Sequence, residues 1–184
     1  MRSMELETVK KLPAADQRIF LLGRVVAQTS SLDIALRFVN SALHGHHNVD
    51  AYLDAPDNFS RNVRSCSQLA RAHVDLEEST RSAVLDAIAA ADTVYKQRNR
   101  YMHDFLREDF ISQGWELARL TRQPDEIAES MPVSFDAMVN LILELTTVTW
   151  RLRGCGLYVL GGQWEAMALG AVQGLWDGKA TTSR

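Results

Sequence analysis

From Ala14 to about Leu43 the chain repeats apolar residues every three or four positions, with no proline to interrupt them. Leu22, Val25, Thr29, Leu32, Leu36, Val39 and Leu43 follow a 3-4-3-4-3-4 spacing. That is the period of an α-helix with one buried stripe, and a strand, whose side chains alternate with period two, cannot carry it. Pro13 limits the helix upstream and Asp16 supplies an acid in its first turn. In His44-Gly45-His46-His47-Asn48, Gly45 suits a left-handed C-terminal cap. A helix this long must bury its stripe against other elements, so the rest of the chain is read for helices that can cover it.

Two further helical patterns follow. After a loop at Asp54–Asn58 containing Pro56, Phe59 to about Val74 places Val63, Cys66, Leu69, Ala70 and His73 on or near one face. A longer helix, roughly Glu77 to Phe105, carries the stripe Val84, Ile88, Ala91, Tyr95, Arg98, Met102 and Phe105. Between Arg107 and Pro132 the periodicity changes. Phe110-Ile111 and Trp115–Leu120 around Gly114 predict a short hairpin-like excursion at about 107–122. Ser134 then makes an N-cap for a helix bearing Leu141, Leu145, Val148, Leu152, Cys155 and Val159 in register. The expected fold is all-α: an antiparallel bundle of four to six helices with that excursion. It forms a single domain over 1–184, with an ordered core at about 14–176. Gly156, Gly161, Gly162, Gly170 and Gly174 read as small residues for close helix packing, and Gly178–Arg184 as a disordered tail.

Composition narrows the function classes. With 184 residues and 46% hydrophobic content the chain can bury a proper core. A net charge of -3 and a pI near 5.9 argue against coating nucleic acid by bulk electrostatics, leaving only a local basic patch for that purpose. Cys66 and Cys155 lack CxxC spacing, so neither a disulfide scaffold nor a zinc module is expected. Met1–Pro13 has Lys10 and Lys11 but no apolar stretch of signal-peptide type. No run approaches the ~18 uncharged apolar residues of a membrane span. The longest candidates, Gly154–Trp164 and Ala166–Trp176, are separated by Glu165. These features predict a soluble, cytoplasmic protein that does not enter a membrane.

Five histidines limit the candidate chemistry. His44, His46 and His47 cluster, but without an HExxH or a second ligand group they read as polar residues at an exposed helix end, and no metal or other cofactor is expected. His73 reads as a structural histidine. His103 differs, because Asn99 lies one helical turn before it and their side chains are neighbours. Arg98 lies five residues before His103, about 140° away around the helix axis, so the two cannot meet by helix geometry alone. A two-fold dimer presenting two copies of the helix is the simplest way to bring them together. Arg98 also interrupts an apolar stripe, and a guanidinium there requires a partner or an anion. It either snorkels out to solvent or pairs with an acid such as Asp33 of the first helix, or it lines a cleft or dimer groove where an anion binds.

Arg98-Asn99-x-x-x-His103 resembles the Arg-x4-6-His motif of the HEPN superfamily, in which a polar residue follows the arginine. The order of elements also resembles small bacterial members with an RNxxxH core: a hairpin-like segment around Gly114–Arg119, then the helix capped at Ser134. The first helix, with Ser31-Leu32-Asp33-Ile34-Ala35-Leu36-Arg37, looks like theirs as well. The likeness covers about residues 14–155, and only the motif is specific.

The resemblance implies a dimeric, metal-independent endoribonuclease acting on RNA in defence or stress response. In that scheme His103 moves protons at the 2′-hydroxyl or the 5′-oxygen, Arg98 binds the scissile phosphate, and Asn99 orients one of them. Lys96 and Arg100 would add contacts to the RNA backbone. A toxin subclass has tyrosine two residues after the histidine as a modification target; here that residue is Phe105, which argues against that pairing with an antitoxin. Other members are non-catalytic RNA-binding or dimerisation modules, and this is the alternative reading.

Overall fold

The computed structural model describes residues 3–45, 55–103, 105–109, 114–120 and 127–161. The fold is an all-α helical bundle that also carries one small sheet. Among the described residues the helices are α1 (Ser3–Lys10), α2 (Ala14–Leu43), α3 (Phe59–Ala72), α4 (Glu78–His103) and α5 (Phe135–Val159). Strands β1 (Phe105–Asp109), β2 (Gly114–Leu120) and β3 (Ile127–Pro132) lie between α4 and α5. The chain divides into two compact units, 1–29 with 93–145 and 30–92 with 146–184. Each boundary falls inside a helix rather than in a linker, so α2, α4 and α5 contribute residues to both.

In the first unit, Leu21, Val25, Val94, Met138, Leu141, Ile142 and Leu145 are buried. Gln17 closes the end of α1, its Nε2 donating to the carbonyls of Lys10 at 3.1 Å and Leu12 at 2.8 Å. Ser134 caps α5, its Oγ accepting from the Ala137 N–H at 3.0 Å. The sheet is antiparallel in the order β1-β2-β3, with Phe105 opposite Ala118, Asp109 opposite Gly114, and Glu116 opposite Pro132. Pro132 ends an edge strand, where a missing N–H does not interrupt the ladder.

Two sequence expectations change here. The helical stripe runs on to Phe105, but α4 ends at His103 and Phe105 opens β1. Pairing with β2 supplies backbone hydrogen bonds in place of another helical turn. The hairpin expected at 107–122 becomes three strands, because Ile127–Pro132 adds to the free edge of β2. The helix α1 precedes the expected start of the ordered core.

In the second unit, Leu32, Leu36, Val39, Cys66, Ala70, Ala87, Ile88, Ala91 and Leu152 are buried. Gly45 (φ 74°) ends α2 in the left-handed conformation expected of it, its N–H donating to the Ala42 carbonyl at 2.9 Å. Asn58 caps α3 through Oδ1, which accepts from the Arg61 N–H at 3.1 Å. A polar seam joins α2 to α3: Asn40 Nδ2 donates to Ser65 Oγ at 3.0 Å and lies 3.6 Å from Cys66 Sγ. Gly156 of α5 faces the ring of Phe38, and a Cβ at that glycine would stand 2.5 Å from a ring carbon. His46, His47 and the glycines and tail beyond Gly161 lie outside the described residues.

Cys66 and Cys155 are both free thiols. Burial pushes the Cys66 thiol from its ordinary 9.0 up to about 12, against a smaller opposing effect of Asn40. An unfolded chain releases this proton near pH 9.0 and the folded one only near 12, so the burial advantage is intact below 9 and is lost as pH rises between them. The unfolding free energy from urea titration should fall over that window, by up to about 1.4 kcal/mol per pH unit for one such group. Cys66→Ala should flatten the slope; an unchanged slope in that variant would assign it to other groups.

Candidate functional site

The last two turns of α4 present Lys96, Asn99, Arg100 and His103 within about 100° of arc, because residues three and four apart return to the same face. Arg98 lies on the adjoining flank and is half-buried. Its guanidinium is held in three ways. Nε donates to Thr29 Oγ1 at 3.2 Å, Nη1 donates to Asn99 Oδ1 at 2.9 Å, and the guanidinium carbon stands 5.4 Å from the centre of the Tyr95 ring. Thr29 is almost fully buried and its own hydroxyl proton goes to the Val25 carbonyl at 2.7 Å. That leaves the Thr29 oxygen a lone pair to receive Arg98.

These holders are neutral. Among the described residues Arg98 makes no ion pair, and its hydrogen bonds leave Nη2 unused. A fixed guanidinium with no carboxylate partner among the described residues and a spare donor edge is chemically suited to an oxyanion such as phosphate. Burial raises the nearby Tyr101 hydroxyl above its ordinary 10.0, partly offset by Arg100, so at neutral pH it remains a protonated phenol.

The structure departs from one site expectation. Asp33 does not support Arg98: its carboxylate accepts from Arg37 Nε at 3.0 Å, one turn along the same helix, and Arg37 also lies 3.5 Å from Asp57. The Asn99 amide oxygen faces Arg98, which leaves the Asn99 amide nitrogen as the group available toward His103 or a ligand. His103 is the final residue of α4, one turn beyond Asn99; its side chain lies outside the described residues. Lys96 is exposed and Arg100 half-buried on the same face.

Sequence reasoning misses Thr29, which falls within the apolar stripe and gives no sign of its role there. The signal available is a hydroxyl in an otherwise aliphatic run, paired with an arginine in the stripe of a second helix. Among the described residues, which include His44, no group of three or more His, Cys, Asp or Glu side chains is arranged to hold a metal ion. No protein-family model, curated protein or solved structure matches the chain.

Proposed function

We propose that this chain is an endoribonuclease of the HEPN kind, cutting RNA in the cytoplasm without a metal, with its active site completed at a homodimer groove. The observation that supports it is Arg98, immobilised by Thr29, Asn99 and Tyr95 yet paired with no carboxylate among the described residues. Arg98 binds the scissile phosphate and stabilises the extra charge of its transition state. One imidazole takes the 2′-hydroxyl proton as O2′ bonds to phosphorus. The P–O5′ bond breaks, and an imidazolium returns a proton to O5′. A single chain brings one His103 to this region, and a dimer brings the two that the proton transfers use. Asn99 links the two functions by fixing Arg98 through its oxygen and offering its N–H to His103 or phosphate. Lys96 and Arg100 hold flanking phosphates.

The test incubates the purified protein with single-stranded RNA in EDTA. Cleavage should persist and leave 2′,3′-cyclic phosphate ends with 5′-hydroxyl partners. No cleavage across varied RNAs, or cleavage abolished by EDTA, overturns the proposal. Thr29 acts as a positioning residue, so Thr29→Val should raise KM for RNA about tenfold through a looser Arg98, and Thr29→Ser should restore it. Equal KM in wild type and Thr29→Val would show that this hydrogen bond does not position the phosphate site.

A further inference from the structure

The outer side of the C-terminal half of α5 carries apolar and small residues where charges would be expected. Thr147, Trp150, Gly154, Leu157 and Gly161 follow a 3-4-3-4 spacing and fall within about 80° of arc. Trp150 is 49% exposed and Leu157 37%. Arg151 and Arg153 stand on the flanks, with Arg153 at 5.2 Å from the centre of the Trp150 ring, and no charge lies on the line itself. The whole line belongs to the second compact unit. A solvated helix face is ordinarily charged, so this one calls for a cover.

The end of α5 indicates which cover. Gly161 (φ 75°) stands at the end of the same line, and its N–H donates to the Tyr158 carbonyl at 2.9 Å. That left-handed cap stops the helix, so the chain leaves α5 from the middle of the apolar face. Residues 162–184 lie outside the described residues, and their sequence supplies a fitting partner. Trp164, Met167, Ala168, Ala171, Val172 and Leu175 recur at the spacing of one helical stripe. Gln173 and Asp177 fall on the opposite side, with Glu165, Leu169 and Trp176 at or beyond the margin.

Gly162 and Gln163 are enough to join two antiparallel helices, which need a loop of about two to five residues. About a centre between them the two lines come into register. Trp164 falls level with Gly161, Ala168 with Leu157, Ala171 with Gly154 and Leu175 with Trp150. The small pair, Ala171 and Gly154, lets the two helix axes approach closely. Residues 164–175 make a helix about 18 Å long, the length of 150–161 along α5. Connectivity adds to the fit. A segment tethered by so short a loop acts at an effective concentration in the millimolar range, which a second copy or another protein must exceed to displace it.

We infer that 164–175 fold back as a helix on this face of α5 and cover Trp150 and Leu157. The face is then a seam within one chain, and any partner that binds α5 there competes with the chain's own segment. The inference stands apart from the proposed nuclease, and no RNA enters its test.

In a Cys155→Ser background, Gly154→Cys combined with Ala171→Cys should form a disulfide within one chain on mild oxidation, at a rate independent of protein concentration. Peptide mass and non-reducing electrophoresis read it. Gly154→Cys combined with Ala166→Cys should not, because residue 166 lies about 140° round the segment from residue 171. In the same background Leu157→Cys should alkylate slowly, and adding Ala171→Arg should speed that reaction about tenfold or more. Cross-linking no faster than in the Ala166→Cys control, or only between chains, overturns the inference. So does Leu157→Cys that alkylates as fast as a free cysteine or is unmoved by Ala171→Arg. Protection of Leu157→Cys that arises only on adding phosphatidylcholine–phosphatidylglycerol vesicles would give the face to a membrane and overturn it as well.

Discussion

His103→Ala is expected to slow RNA cleavage about 10³-fold while leaving the circular dichroism spectrum unchanged, because His103 is the last residue of α4 and few helical hydrogen bonds depend on it. Removing an imidazole abolishes the group that exchanges protons near neutral pH, and neither Lys96 nor Arg100 replaces it. Arg98→Ala should cost a similar 10²–10³-fold through lost stabilisation of the phosphate charge. Arg98→Lys should rescue little, since an ammonium cannot bond Thr29 and Asn99 while also presenting a planar donor edge. The two losses should not add in the double variant, because both residues serve one transition state. Single-turnover kinetics on a labelled oligonucleotide measure all four variants. A His103→Ala protein as active as wild type would place the chemistry elsewhere, and the nuclease reading of this motif would end there.

The second large effect concerns stability and differs in sign between two glycines. Gly156→Ala should destabilise the protein by about 2 kcal/mol, because the new methyl would stand 2.5 Å and 2.6 Å from two carbons of the Phe38 ring. The gain in helix propensity, about 1 kcal/mol, offsets only part of that. Gly23→Ala should instead stabilise by about 1 kcal/mol, since nothing lies within 4 Å of its added carbon and the gain stands alone. Urea titration of both variants reads the difference of about 3 kcal/mol. Adding Phe38→Leu should relieve the clash that Gly156→Ala introduces and leave the response to Gly23→Ala unaltered. Equal effects at the two glycines would mean that α2 and α5 can move apart at Phe38 without loss.

Much of the helical architecture is legible in the sequence because apolar period is a local property. The stripe from Leu22 to Leu43 marks α2, and Ala14–Leu43 is its observed extent. Ser134 and Gly45 mark helix ends because a side-chain oxygen and a freely rotating backbone act within one turn. β3 is not legible, since Ile127–Pro132 becomes a strand only by adding to the edge of β2, and edges belong to the folded sheet. The end of α4 is hidden for the same reason: Phe105 satisfies the helical period, and its strand pairing overrides it.

The site divides along the same line. The sequence alone determined that Lys96, Asn99, Arg100 and His103 share one helical face, because 3.6 residues per turn fixes that without help from the rest of the chain. It also determined that Arg98 is an awkward charge in an apolar stripe. Which group answers that charge was a matter of tertiary structure. Asp33, the acid expected there, is taken by Arg37 on its own helix, and the oxygen that meets Arg98 belongs to Thr29, 69 residues away in the chain. Helical period determines which way a side chain faces; only the packing of α2 against α4 decides what it finds there.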